Sequence, residues 1–128
     1  MPTAILTYSK ENRLFALVLA EALPRLAAPH LNVEGAPRHE GGVTEKEVIV
    51  RLQAGDEEDI NAPDINVHFR AHNFPERVKN HQQRTELIHD GCRRLLDWNE
   101  GVLVSLSVEL ELANLGYKAS YRNETEGE

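Results

Sequence analysis

The chain has 128 residues, of which 41% are hydrophobic and 27% charged, as expected for one globular domain. Its formal net charge of −7 argues against phosphate-backbone binding, so no nucleic-acid partner is expected. The single cysteine, Cys92, excludes an intramolecular disulfide framework. No apolar run approaches the roughly 18 residues of a membrane span, and the first residues lack a signal peptide. We therefore expect a cytoplasmic protein without a membrane partner.

The acidic excess lies in two short segments. One is the run of four acidic residues at 56–59, and the other is the acidic end of the chain at 123–128. Without their seven acidic residues the remainder holds 14 basic and 14 acidic residues, counted from the 14 and 21 of the whole chain. The sequence therefore predicts a single domain over residues 1–122, a solvated loop at 56–59, and an acidic disordered tail over 123–128.

The first half of the chain predicts a strand, a helix and a second strand. Residues 3–8 read as a short strand, and Ser9 is a plausible N-cap for a helix over residues 10–23 that Pro24 ends or kinks. Residues 29–45 contain two prolines and three glycines and are expected to form a long loop. A second strand follows at 47–53, with alternate residues on opposite faces.

The second half repeats this order. Residues 65–72 alternate cleanly between apolar and polar side chains, which predicts a half-buried strand. Asn73, Pro75 and Glu76 indicate a helix start with an Asn cap, and helical spacing continues to about Trp98. Residues 102–113 alternate again and predict the longest strand, with a last extended piece at 117–121.

The resulting order is β-α-β followed by a second β-α-β. Each helix is long enough for a right-handed crossover between parallel strands. We therefore expect an α/β (α+β) domain with a four-stranded mixed sheet and two helices on one face. One helical layer leaves the second sheet face bare, so this face is expected to meet copies of the same chain.

Pro2 is the most informative residue for chemistry. Met-Pro starts normally lose the methionine, which would leave Pro2 with a free secondary amine. Burial and nearby cations would lower the pKa of that amine from the roughly 7.7–8.0 of an α-amino group, or from the higher value of a prolyl amine. A neutral amine can take a proton from an enol or a carbon acid and return it elsewhere.

Several segments, taken in their order, resemble the tautomerase superfamily and, within it, the 5-carboxymethyl-2-hydroxymuconate isomerase family. They are Met-Pro at the start, Val67-His68-Phe69 in the third strand and Gln82-Gln83 in the second helix. Near the C-terminus, residues 105–111 (SLSVELE) are followed by residues 115–118 (LGYK) and Asn123. Together these segments touch most of the chain.

The resemblance implies a homotrimer that isomerises an enol or enone dicarboxylate of the 2-hydroxymuconate type. In such proteins the N-terminal proline moves a proton between an enol oxygen and a carbon, and arginines bind the substrate carboxylates. No metal and no organic cofactor are used. By this resemblance Pro2 is the expected catalytic residue, with a role in the catabolism of aromatic compounds.

Three arginines are candidate substrate-binding residues, because a guanidinium presents a planar fork of donors to a carboxylate. Arg77, in the turn before the second helix, and Arg51, in the second strand, lie within a residue or two of the family's arginines. Arg70 is an independent candidate on the polar face of the third strand. Structural alternatives remain open: an exposed Arg77, a cross-strand pair between Arg70 and Glu109 or Glu111, and an exposed or intersubunit Arg51.

Other residues carry weaker signals. His68 and His72 share a strand face, but no third ligand is fixed nearby, so no metal site is expected. Cys92 lies on an apolar helical stripe and is expected in the core. Two rival functions also remain: a hydratase or dehalogenase of the same superfamily, and a non-catalytic trimeric scaffold or small-ligand binding module.

Overall fold

The computed structural model describes residues 2–37, 40–97 and 104–114. Within these residues the chain forms four strands and three α-helices. In order they are β1 (Thr3–Tyr8), α1 (Arg13–Leu31), β2 (Ile49–Ala54), β3 (Ile65–His72), α2 (Pro75–Lys79), α3 (His81–Leu96) and β4 (Leu106–Ala113). Short 3-10 turns precede α1 at Lys10–Asn12 and β2 at Glu45–Glu47.

The four strands form one mixed sheet in the order β2-β1-β3-β4. Strand β1 runs parallel to β2 and antiparallel to β3, and β3 runs parallel to β4. Two β-α-β units are thus joined through their first strands. The predicted fold class, a four-stranded mixed sheet built from two such units, is confirmed.

One face of the sheet packs against the helices. The alternating residues predicted to be apolar in β3 are at most 1% exposed and join one cluster with α1 and α3. The cluster includes Leu6 and Phe69 from the sheet, Leu19 and Leu23 from α1, and the predicted core residue Cys92 from α3. Burial raises the pKa of the Cys92 thiol to about 12, so this cysteine is an apolar core group.

Helix α1 continues beyond its predicted end. It passes through both Pro24 and Pro29 and ends at Leu31. Of the two predicted effects of Pro24, ending the helix was wrong, and a kink stays a prediction. Each interior proline costs about 3 kcal/mol in helix propensity. The apolar side chains that α1 buries every three to four residues offset this cost, among them Leu19, Leu23 and Leu31.

The same helix bears on the expectation that no apolar run approaches a membrane span. The segment Lys10–Leu31 has 22 residues and contains a window with a mean hydropathy of 1.4, which by length and composition alone could cross a bilayer. In the fold, α1 is the crossover between β1 and β2, and seven of its residues are buried. This packing explains the buried third of the apolar window, whereas Leu14 and Val18 are largely exposed.

The second helical segment is divided where a single helix was predicted. Asn80, with φ −126° and ψ 39°, separates α2 from α3, and its side-chain oxygen accepts a 2.6 Å hydrogen bond from Arg84 Nε. The helix starts at Pro75 with Phe74, not Asn73, at the N-cap. At Asn80 the backbone N–H donates to the oxygen of Val78, two residues before it, so the helical hydrogen-bond pattern is interrupted there.

Other predicted bounds differ by a few residues. The predicted second strand begins two residues later, because Glu47 folds back to accept a 2.9 Å bond from the backbone N–H of Thr44. Ser9 precedes the first helical turn, but its hydroxyl accepts a bond from the Asn12 side chain. The predictions for Trp98, residues 102–103, the piece at 117–121 and the tail at 123–128 lie outside the described residues.

Two arginines hold the end of α1 in place, since Arg77 connects it to the end of β3 and Arg84 connects it to α3. Arg77 is 2% exposed and donates to the backbone oxygens of Leu31, His72 and Gly41 at 2.8, 3.0 and 3.3 Å. Arg84 donates to the oxygens of His30 and Asn32 at 2.8 and 3.0 Å. Positive charge near a helix C-terminus complements its dipole, so both arginines stabilise this junction.

Gly41 is required at this junction. Its φ of +114° lies in the region that favours glycine, and a Cβ there would lie 2.5 Å from Val33 Cγ2. Its carbonyl accepts bonds from the Val33 N–H at 2.9 Å and from Arg77. The connection between α1 and β2, predicted as part of a long loop over residues 29–45, is therefore held against Val33 and Arg77 at Gly41.

Replacing Arg77 with methionine is expected to lower the free energy of unfolding by about 2–4 kcal/mol, because three backbone oxygens lose a charged donor. Denaturation in urea measures this loss. The matched control is Arg25→Met on an exposed position of α1, for which a change within about 0.5 kcal/mol is expected. Equal stability of the two variants would contradict the structural role of Arg77.

Candidate functional site

Pro2 lies at the beginning of a central strand. It is buried and directly precedes β1, which lies between β2 and β3. Its carbonyl oxygen accepts a 3.0 Å bond from the backbone N–H of Ile49, the first residue of β2. Since the backbone of a strand lies in the plane of the sheet, the Pro2 nitrogen lies at the rim of the sheet.

Arg70 is the candidate arginine next to this rim. In the register of the sheet it pairs with Thr3, the residue after Pro2. Its side chain is 56% exposed on the face that lacks helices, called the open face below. Its Nε lies 3.7 Å from a carboxylate oxygen of Glu111, as the structural alternative for Arg70 predicted. Exposed pairs of this kind contribute about 0–1 kcal/mol, so an anionic ligand can replace Glu111.

Arg51 lies on the same open face, level with a residue of β1 that is two positions beyond Thr3. It pairs with Ile5, and its side chain is exposed. Within the described part of the chain it makes no ion pair. The structure thus brings Arg51 and Arg70 to one face of the sheet, on either side of β1, with Pro2 at the end of that strand.

Arg77 lies apart from these two arginines. Three of its nitrogens donate to backbone carbonyls, and the ring of Phe74 lies 5.3 Å from its central carbon. Burial lowers its pKa to about 10, and the positive charge of Arg84 acts in the same direction. The Arg77 side chain is 2% exposed, so the structural alternative of an exposed Arg77 does not match the structure. A substrate role for Arg77 stays a prediction, and the observed contacts are structural.

A network that the sequence reasoning missed runs along β3 and β4. His68 lies between two carboxylates, with Nδ1 at 3.2 Å from Glu109 and Nε2 at 2.9 Å from Glu111. These three side chains and Arg70 project from paired positions on the open face. The sequence did contain a signal for this network, because basic side chains alternate at His68 and Arg70 and acidic ones at Glu109 and Glu111. Pairing the two sets requires the parallel register of β3 and β4, which the sequence does not give.

The network shifts the protonation of its members. Hydrogen bonding to Glu111 is the main cause that raises the pKa of His68, and the bond to Glu109 adds to it. The bond from His68 lowers the pKa of Glu111. Within the described residues no group of three metal-ligating side chains converges, since the two carboxylates bind opposite nitrogens of the His68 ring.

A cleft of about 350 Å³ lies at the opposite end of the sheet. It is formed where β1 and β2 end, and its wall includes Tyr8, Lys10 and Asp59. Lys10 lies 3.6 Å from Glu57 across it, although both side chains are largely exposed. The predicted acidic loop at 56–59 is thus part of this cleft, away from the three candidate arginines.

The His68 network predicts a pH-dependent contribution to stability. A raised pKa in the folded state stabilises the protein below the unfolded His pKa of about 6.5, and this contribution is lost as pH rises through the folded value. The lowered pKa of Glu111 stabilises the folded protein at pH values above the pKa of an unfolded carboxyl group. This contribution is lost as the pH falls through the folded value.

The variant His68→Gln isolates this effect. Its unfolding free energy is expected to be lower than that of the unmodified protein near pH 5–6, by less than about 1 kcal/mol because the network is exposed, and to approach it above about pH 8. Urea denaturation over this pH range measures the difference. A difference that does not change with pH would contradict the coupling.

A comparison of the chain with known protein families finds no match, and a search of the curated proteins finds none either.

Proposed function

We propose that the protein is an isomerase of the tautomerase type, which uses a free Pro2 amine to move a proton within a 2-hydroxymuconate-type dicarboxylate. The single observation that supports this most is the position of Pro2 at the head of a central strand, at the sheet end where Arg70 lies on the neighbouring strand. The segments that resemble the tautomerases give the reaction class. The proposal includes removal of Met1, a homotrimer and a cytoplasmic location.

The proposed reaction is balanced as an isomerisation. The neutral Pro2 amine accepts the proton of the enol hydroxyl, and the O–H electron pair forms the ketone C=O. The C=C pair of the enol shifts along the conjugated chain, and the carbon at its end takes the proton back from the Pro2 ammonium. A positioned proton carrier of this kind contributes roughly 10²- to 10⁴-fold in rate.

Arg70 supplies the electrostatic part of the proposal. Its guanidinium is exposed, and among the described residues its one ion pair is the 3.7 Å contact with Glu111. A substrate carboxylate offers it a bidentate partner, which is shorter and stronger than that contact. Arg70 would thereby fix the substrate on the open face, next to the rim where the Pro2 nitrogen lies.

A second candidate function is a non-catalytic scaffold or binding module. The observation that favours it is the placement of Arg77, whose donors bind backbone carbonyls. Since the resemblance assigns a substrate-binding role to an arginine in this turn, its structural use here leaves the proposed site with fewer cations. Hydratase or dehalogenase chemistry is the remaining alternative.

The variant Pro2→Ala tests the catalytic role. Loss of the enol absorbance of 2-hydroxymuconate and its 5-carboxymethyl analogue is followed with the unmodified protein and with the variant. We expect at least an approximately 100-fold slower reaction for Pro2→Ala, because its amine is primary and differently placed. The control Pro37→Ala changes an exposed proline and should react normally.

Two readouts complete this experiment. Mass spectrometry of the purified protein establishes whether Met1 is removed, since a retained Met1 leaves Pro2 without a free amine. Equal rates for Pro2→Ala and the unmodified protein would remove Pro2 from the mechanism. No reaction with either protein would favour the binding module or the hydration enzymes.

The variant Arg70→Gln tests carboxylate binding. It keeps a polar side chain but removes the charge, so KM for the dicarboxylate is expected to rise by at least about tenfold. Arg25→Gln on the exposed side of α1 is the matched control. An unchanged KM for Arg70→Gln would show that this arginine does not bind the substrate.

A further inference from the structure

Two basic side chains on the open face share the carboxylate of Glu111. One of its oxygens lies 2.9 Å from Nε2 of His68, and the other lies 3.7 Å from Nε of Arg70. His68 and Arg70 are two residues apart in β3, so both project from the same face of that strand. Glu111 therefore connects a titratable side chain to the arginine that is proposed to bind the substrate.

The contacts around His68 fit its charged form. Its Nδ1 lies 3.2 Å from Glu109, and its Nε2 lies 2.9 Å from Glu111. A carboxylate accepts hydrogen bonds, and a neutral imidazole has a single N–H to donate, so only the protonated ring satisfies both carboxylates. When His68 loses its proton, one carboxylate loses its donor. The charges of His68 and Arg70 then no longer balance those of the two glutamates, and the network has an excess negative charge.

We propose that His68 and Glu111 are positioning residues for carboxylate binding at Arg70. While His68 is charged it holds Glu111 by a hydrogen bond, and the donors of Arg70 are available to a carboxylate ligand. Once His68 is neutral, Arg70 alone balances the charge of Glu111, and a ligand has to displace this carboxylate. The inference rests on Arg70 as the carboxylate-binding arginine of the proposed function, and it makes that binding dependent on pH.

The direction of the dependence follows from the charges. The hydrogen bond to Glu111 is the main cause that raises the pKa of His68, so the ring loses its proton above pH 6.5. A ligand carboxylate at Arg70 lies about 7 Å from the ring, since alternate residues of a strand are roughly that far apart. Two unit charges at this distance in water account for about a threefold change in affinity, and competition by Glu111 adds to it. The affinity is therefore expected to fall about three- to tenfold as His68 loses its proton.

Neighbouring groups can be separated from His68 in this respect. From β1 it faces the apolar Ile5, and Arg51 on β2 lies beyond that residue at the same level. His72 is the second histidine on this face of β3, and the Pro2 amine lies at the rim. Because His72 and Pro2 stay in place when His68 is replaced, their own titrations contribute equally to both proteins.

Binding of fumarate, a dicarboxylate that stays ionised above about pH 6, tests the coupling without catalysis. NMR titration of the full chain gives its dissociation constant from about pH 6 to about pH 9. The unmodified protein is expected to bind about three- to tenfold more weakly at the alkaline end, and His68→Gln should lose most of this change. The matched control His72→Gln should keep it. Arg70→Gln should weaken binding over the whole range.

The two glutamates provide a matched pair of variants. At the alkaline end of the range, Glu111→Gln removes the charge next to Arg70 and should tighten fumarate binding about threefold or more. Glu109→Gln removes the same charge from the carboxylate that contacts His68, and should change the affinity less. Bound fumarate should also raise the pKa of His68, because the coupling between proton and ligand is reciprocal.

The outcomes separate this coupling from the proposed function. The same pH dependence in His68→Gln and in the unmodified protein would overturn the coupling and leave Arg70 as a carboxylate site. A protein that does not bind fumarate, or that binds it equally well as Arg70→Gln, would overturn the coupling together with that site. Failure of the isomerase proposal is read from the Pro2→Ala rates instead. Circular dichroism checks that each variant is folded.

Discussion

The antiparallel pairing of β1 with β3 is the constraint on which the rest of the structure depends. It joins two parallel β-α-β units through their first strands, and so makes β1 a central strand. Right-handed crossovers, the rule for parallel strands, place the helices of two units joined in this way on the same sheet face, and α1 and α3 join one core cluster there. As a result, one face of the sheet is buried against the helices and the other is open to solvent. Pro2 lies at the start of β1, between β2 and β3.

The two faces divide the roles of the arginines. Arg77 lies with the helices, where burial makes an unpaired guanidinium costly unless its donors are satisfied. Three backbone oxygens near the end of α1 satisfy them. Arg51 and Arg70 lie on the open face in water, where they remain available to anionic partners. The side of the sheet on which an arginine lies, more than its residue type, therefore decides whether it has a structural role or is available to a ligand.

The sequence was sufficient to predict most of the fold. Strict alternation over residues 65–72 predicted both ends of β3 correctly, because one face of this strand is buried and the other faces solvent. The end of α1 was missed because tertiary packing outweighs the local effect of Pro24 and Pro29. The helix break at Asn80 is a local backbone turn, with the Asn80 N–H bonded to the oxygen of Val78, and the spacing of apolar residues does not reveal it.

The candidate site was less predictable, for a different reason. Beside Pro2, the sequence indicated Arg51, Arg70 and Arg77 as candidates for the same substrate-binding role, since a guanidinium has the same chemistry wherever it lies. Only the register shows that Arg70 pairs with Thr3 and that His68 lies between two glutamates. The buried environment of Arg77 likewise depends on α1 ending at Leu31.

The proposed role of Pro2 as a proton carrier is tested most directly by the pKa of its amine. After Met1 removal, ¹⁵N NMR of proline-labelled protein reports the titration of this nitrogen. Burial and the neighbouring arginines predict a pKa near or below neutral, under the roughly 7.7–8.0 of an ordinary α-amino group. A pKa well above that range would contradict the account, because Pro2 would then be protonated at neutral pH and suited to hydration chemistry.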